Sequence, residues 1–299
     1  MRAVVITAKG GPEVLTVDEV DEPTAGPADI TVSVAAAAVN PVDLKTRSGF
    51  LPIELAYPAI LGWDVSGTVV AVGSSVTRFA LGDNVIGMIA QPAHCFGTYA
   101  ERVVANHLLF AHAPTGVTLE HAAAIPLAAL TAVQQLDKIT LPAQSTVLVT
   151  GAAGAVGRIA SALLLLRGHR VDALARESDT EVLQALGARR LFTSATDLTF
   201  GEYDAVVDTA GVSRSIDSVR DGGAFVSIED GEQPEPQRGI TPGKSYVNED
   251  GAGLEEFTAL VSAGTITVPV AREFGFDEAP QAHSLLADGG TRGKVLLIP

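Results

Sequence analysis

The chain has 299 residues, a net charge of −15, 47% hydrophobic residues and a mean hydropathy of +0.29. Nucleic acid and anionic membrane surfaces repel so acidic a chain, so neither is expected as a partner. The single cysteine, Cys95, excludes an internal disulfide framework and a four-cysteine zinc site, and it suits a reducing cytosol.

At about 150 residues per domain, the length predicts two domains. The opening "MRAVVITAKGGPEV" turns polar too early for a signal peptide. "ALLLL" (162–166) is far shorter than the ~20 apolar residues that span a bilayer. A cytoplasmic location is therefore expected.

The first hundred residues read as β-structure. "AVVIT" (3–7), "LTVDEV" (15–20), "ITVSVAAAAV" (30–39), "GTVVAVG" (67–73), "NVIGMIA" (84–90) and "AERVVA" (100–105) are short strand-like runs, broken by Gly, Pro and Asp. They predict a barrel or a sandwich. From 118 the period changes. "TLEHAAAIPLAALTAVQQL" carries a Thr cap and an Ala/Leu-rich run, a helix bent at Pro126.

Strands and helices then alternate: strand 146–150, helix 155–167, strand 169–175, helix 178–187, and strands 189–193, 204–208 and 223–228. This pattern predicts a doubly wound parallel sheet. Residues 229–245 read as an exposed loop and 252–263 as a helix. Strand 270–276, helix 279–289 and the final strand "KVLLIP" follow, so the chain is expected to pack back on its first domain. The domains are placed at 1–117 with 268–299, and at 118–267.

"TVLVTGAAGAVGRIA" (146–160) joins a β-branched strand to a helix through Gly151, Gly154 and Gly157. The first glycine suits a tight turn, the second lets backbone approach phosphates, and the third lets helix and strand pack closely. The helix N-terminus offers free N–H groups to a pyrophosphate. The spacing is GxxGxxG rather than GxGxxG, and the strand–turn–helix context favours a dinucleotide over an ordinary tight turn.

The second strand bears on which dinucleotide is bound. Asp172 lies too early in it to reach a ribose. Arg176 stands at its end and suits a 2′-phosphate, which favours NADPH; Glu177 beside it suits a 2′-hydroxyl.

The flanking motifs carry a resemblance. They are "AVNPVDLKTRSG" (38–49), "ILGWDVSGTVVAVG" (60–73), "GDNVIG" (82–87), "GTYAERVV" (97–104), "AAAIPLAALTAVQQL" (122–136), "DAVVDTAG" (204–211) and "GTRGKVLLIP" (290–299). With the glycine turn they make the chain resemble the medium-chain dehydrogenase/reductase superfamily, in its zinc-independent quinone oxidoreductase branch that includes ζ-crystallin. The resemblance implies an α/β fold: a GroES-like β-barrel domain plus a Rossmann doubly wound parallel sheet, with a cleft between them.

The same resemblance places Asn40 where zinc-dependent members carry a ligating Cys, and Trp63 where they carry a His. No metal is expected. His94 beside Cys95 is read as loop packing. By motif, Asn40 and Lys45 are the candidate catalytic residues, donating to a carbonyl oxygen on which charge develops. Asp43 would support the surrounding loop. A solvated surface lysine is the other reading of Lys45.

The cofactor-binding candidates are Asn40, Thr131, Gly151, Gly154, Ala155, Val156, Gly157, Arg176, Ala210, Asn248 and Arg292, the last with a structural role as an equal alternative. Leu51 and Lys45 stand where bacterial quinone reductases carry tyrosines, and Lys45 looks more like the enone and alkenal reductases.

The implied activity is NADPH-dependent, zinc-independent hydride transfer to a small-molecule quinone or α,β-unsaturated carbonyl. The alternatives are a dedicated biosynthetic enoyl reductase and a non-catalytic NADPH-binding sensor. A homodimer is implied, with "TITVPV" (265–270) as the pairing edge.

Overall fold

The computed structural model describes residues 1–91, 93, 94, 96–231 and 233–299. Its first elements are β1 (Arg2–Ile6), β2 (Thr16–Glu19), β3 (Asp29–Val39), α1 (Pro41–Ser48), β4 (Ala59–Ile60), β5 (Asp64–Val72), β6 (Asn84–Met88), β7 (Arg102–Asn106) and β8 (Phe110–His112). The spine is β3. Its first half alternates, with Ile30, Val32 and Val34 turned into the core. Its second half is a run of alanines buried on both faces. Ala36 and Ala38 pack with Ala123, Ala124 and Leu296. Ala37 and Val39 pack with Val5, Ile60 and Tyr99. Small side chains let the two layers close on one strand.

The helix α1 is absent from the sequence reading, yet its signals are present. Asn40 precedes it, Pro41 opens it, Asp43 accepts the Asn40 N–H at 2.7 Å, and Gly49 ends it at φ +82°. The expected helix 118–136 is broken into α2 (Leu119–Ala122) and α3 (Pro126–Leu136), because Pro126 opens a new helix. Thr118 caps α2 by accepting the His121 N–H at 3.2 Å.

The middle of the chain holds β9 (Thr146–Thr150), α4 (Ala155–Leu166), β10 (Arg170–Leu174), α5 (Thr180–Leu186), β11 (Leu191–Phe192), β12 (Tyr203–Asp208), β13 (Val219–Ser227) and β14 (Gly243–Lys244). These six strands form one parallel sheet in the order β11-β10-β9-β12-β13-β14. The order reverses between β9 and β12, as in a Rossmann sheet. The short helical run Ser213–Ser218 stands in the β12–β13 crossover where a full helix is usual. The segment 229–245, expected as an exposed loop, contributes β14 at its end and buries Ile240 against Phe225.

Then come α6 (Gly251–Ser262), β15 (Val270–Gly275), α7 (Ala279–Ala287) and β16 (Lys294–Ile298). Strand β16 lies between β15 and β3 in the sheet β15-β16-β3-β5-β6-β8, so the chain does return to its first sheet.

Two compact units result. One is Met1–Leu127 with Asn248–Pro299, and the other is Ala128–Val247. These limits differ from those read in the sequence because α2 packs on β3 and β5, and α6 packs on β8. The α6 contact is electrostatic as well as apolar: Arg78 Nη2 meets Glu255 Oε2 at 2.6 Å, and Glu255 also accepts the His112 N–H at 3.0 Å.

The segment 265–269 is not a strand. The C-terminal end of α6 captures it: Gly264 turns at φ +69°, and the N–H groups of Thr265 and Ile266 donate to Leu260 O. Only Val270 joins a strand, and that strand pairs with β16. The edges of the parallel sheet are β11 and β14 instead.

Among the described residues, no helix is long and apolar enough to cross a membrane.

Candidate active site: a glycine turn and a buried polar cluster

The nucleotide turn is built by three glycines with different tasks. Gly151 sits at φ +60°, where a Cβ would meet Thr209 Oγ1 at 2.8 Å and Ala210 Cβ at 2.9 Å. The turn therefore runs tight against the segment that follows β12. Gly157 is buried in the first turn of α4, and a Cβ there would stand 2.3 Å from Gly151 O. Gly154 is exposed, and its Cβ would meet only Gly151 O at 3.2 Å.

As the residue preceding α4, Gly154 brings no capping side chain. The N–H groups of Ala155, Val156 and Gly157 stand at a helix start that no side chain of the turn covers. This is the donor set and dipole end that a pyrophosphate takes, and an open backbone at Gly154 fits its approach.

The carboxyl ends of the parallel strands are tied by Asp208. Its side chain accepts from Thr150 Oγ1 on β9, from Ser227 Oγ on β13 at 2.9 Å, and from the Val212 N–H at 3.0 Å. Buried and fully hydrogen-bonded, it sets the rim where ligands bind in open parallel sheets. Gln135 of α3 adds Nε2–H donation to Asp208 O at 3.0 Å.

Arg176 follows β10, and its side chain is 57% exposed, with Nε 3.4 Å from Asp179 Oδ2. Asp172 is occupied elsewhere. Burial alone raises its carboxyl, but hydrogen bonds from Arg189, Arg190 and Tyr203 outweigh that and hold it below its ordinary value. Glu177 is exposed in the turn after Arg176.

The other unit contains a buried polar cluster around Asn40. Its side-chain Nδ2 donates to Asp64 Oδ2 at 2.9 Å and to Ala38 O at 3.2 Å. Its Oδ1 accepts from Lys294 Nζ, which also donates to Asp64 Oδ2 at 3.0 Å. Asp64 Oδ1 accepts the Leu127 N–H at 2.6 Å, in the first turn of α3. Asn40, Asp64 and Lys294 are all buried. Both amide hydrogens of Asn40 are thus engaged inside the protein.

Behind this cluster, Asp43 Oδ2 accepts the Asn40 N–H and the Tyr99 hydroxyl, the latter at 3.0 Å. Burial pushes Asp43 up to about 7, against the pull of those two hydrogen bonds, while the neighbouring Asp64 raises it further.

Lys45 is on α1 and partly buried, and Thr131 is on α3. Ala210 follows β12, against Gly151. Asn248 and Arg292 are exposed, ahead of α6 and β16. His94 Nε2 lies 2.7 Å from Glu249 Oε1; Cys95 lies outside the described residues. Among the described residues, no group of three or more His, Cys, Asp or Glu is placed to hold a metal ion.

Asp64 and Lys294 lie within the motifs "ILGWDVSGTVVAVG" and "GTRGKVLLIP", but neither was a candidate in the sequence. The available signal was one charge of each sign opening a largely apolar run, "DVSGTVVAV" and "KVLLI", since a charge buried there requires a partner.

Residues 26–124 match the alcohol dehydrogenase GroES-like domain, and residues 180–297 match the family described as zinc-binding dehydrogenase. Over its whole length the chain is 31% identical to the 2-methylene-furan-3-one reductase of Solanum lycopersicum, covering 79% of that protein. It is 29% identical to the chloroplastic NADPH-dependent alkenal/one oxidoreductase of Arabidopsis thaliana, covering all of this chain and 80% of that one.

Among solved structures, the quinone oxidoreductase of Coxiella burnetii superposes with a TM-score of 0.89 at 28% identity, over 100% of this chain and 99% of that one. A structure described as an NAD-dependent alcohol dehydrogenase gives 0.91 at 31%, over 100% of both chains. With a GroES-like unit, a Rossmann sheet and relatives of this kind, the chain belongs to the quinone oxidoreductase branch of the medium-chain dehydrogenase/reductase superfamily, a family of NAD(P)-dependent oxidoreductases.

Proposed function

We propose that the chain is an NADPH-dependent, zinc-independent reductase of α,β-unsaturated carbonyl compounds. The observation that carries this reading is the uncapped start of α4 behind an open Gly154, with Arg176 just past the end of β10, the strand that pairs with β9. The helix start takes the pyrophosphate and the guanidinium takes the 2′-phosphate, an arrangement suited to a phosphorylated dinucleotide. The name of the alkenal/one oxidoreductase supports both cofactor and acceptor, and that of the furan-3-one reductase supports the acceptor. A quinone is the second reading, supported by the Coxiella burnetii protein.

When bound, NADPH would supply the hydride for the β-carbon of the acceptor. The chain's own groups deal with the charge that then develops on the carbonyl oxygen. Asn40 has no amide hydrogen left to donate, so we assign that stabilisation to Lys45 on α1. Asn40 anchors the start of that helix. The α-carbon takes its proton from water. As the resemblance implies, the active species is a homodimer, though not one paired through 265–269, which is not a strand.

NADPH and NADH oxidation with a simple enone and with an o-quinone tests the reading. Arg176→Ala is expected to raise the KM for NADPH about tenfold or more and leave that for NADH unchanged. An equal effect on both nucleotides, or none, removes the 2′-phosphate assignment. Faster turnover of the quinone would replace the enone as substrate.

A further inference from the structure

We infer that Lys294 is a positioning residue of this site: a tethered ammonium that fixes the orientation of the Asn40 amide and neutralises the buried Asp64 carboxylate. Lys294 is the first residue of β16, whose antiparallel register with β3 pairs Val295 with Val39 and so sets Lys294 beside Asn40. The residue is only 6% exposed at the start of the apolar run KVLLI. An ammonium that deeply buried requires acceptors, and it has two: Asn40 Oδ1 and Asp64 Oδ2.

The chemistry of the donor decides the geometry. An ammonium only donates, so the atom of Asn40 facing it must be the amide oxygen. The Nδ2 hydrogens then point to Ala38 O and Asp64 Oδ2. Without the ammonium, the orientation of that amide rests on Ala38 O and Asp64 Oδ2 alone. Asp64 extends the effect further. Its second oxygen holds the Leu127 N–H in the first turn of α3, the helix that carries Thr131. One carboxylate therefore couples β16, the end of β3 and the start of α3. The cluster holds one positive and one negative charge, so the loss of either leaves the other buried and uncompensated.

That this positioning serves turnover rests on the reductase reading, and the test separates the two claims. Lys294→Met is expected to lower the melting midpoint by about 5–10 °C and kcat/KM by about 100-fold. In the double variant Lys294→Met with Asp64→Asn no buried charge is left alone. Its midpoint is expected to return to within a few degrees of the wild type, while kcat/KM stays about tenfold or more below it.

Recovery of both quantities would reduce Lys294 to charge balance and overturn the positioning role. A midpoint that stays low in the double variant would overturn the pairing with Asp64. A wild-type chain that neither binds NADPH nor reduces any acceptor would overturn the reductase reading alone, since the midpoints still report the pairing.

Discussion

Asp43 and His283 are buried side chains in the same unit whose titrations oppose one another. Burial raises Asp43 from 3.8 to about 7, so the folded chain holds that proton more tightly than the unfolded chain. Its contribution to stability is complete below about pH 4 and is lost as the pH rises to about 7.

Burial, and then the nearby Arg47 charge, lower His283 from 6.5 to about 3. Neither of its ring nitrogens has a hydrogen-bond partner among the described residues, and its ring meets Tyr99 edge-on at 5.8 Å. Its contribution is present above pH 6.5 and is lost as the pH falls toward 3.

Between about pH 4 and 6.5 the two slopes run against each other. Asp43→Asn removes one of them. Compared with the wild type at each pH, that variant is expected to gain up to about 1.4 kcal/mol per pH unit from pH 4 to 7. Melting midpoints of both proteins over that range check it; a constant difference would mean that Asp43 titrates normally.

At the scale of elements, Gly154 and Gly157 separate binding from folding. A side chain at Gly157 collides with backbone at 2.3 Å, so substitution there damages the turn itself. A Cβ at Gly154 meets one backbone oxygen at 3.2 Å and otherwise open space. Gly154→Ala is therefore expected to fold with a melting midpoint near that of the wild type and to weaken NADPH binding about tenfold, because the methyl group occupies the phosphate approach. Unchanged affinity by fluorescence titration would place the pyrophosphate elsewhere.

The parallel sheet was legible because β-branched strands and apolar helices alternate at short range around that turn. The helix α1 was not, because "PVDLKTRS" has almost no apolar stripe and its helicity comes from its ends, Asn40 and Gly49. "TITVPV" misled in the opposite direction: its alternation suits a strand, but the end of α6 takes the N–H groups that a neighbouring strand would need. The partnership of Lys294 with Asp64 spans 230 residues of sequence, and no local pattern reports such a distance.

At the scale of the molecule, the parallel sheet ends in β11 and β14, each of only two residues. Edges this short leave few unpaired backbone groups for indiscriminate pairing. Light scattering at micromolar concentration is expected to give twice the chain mass of 30.8 kDa, and a monomer would refute the homodimer.

The chain leaves its first unit at Leu127 and re-enters it at Asn248. During synthesis, residues 128–247 are therefore complete and contiguous while the first unit still lacks β15 and β16. Until β16 emerges, β3 has an open edge along Ala37–Val39 and Asp64 has no cation. The unit begun first on the ribosome is thus the last to close, and the arrival of Lys294 both fills the gap in its sheet and neutralises its buried charge.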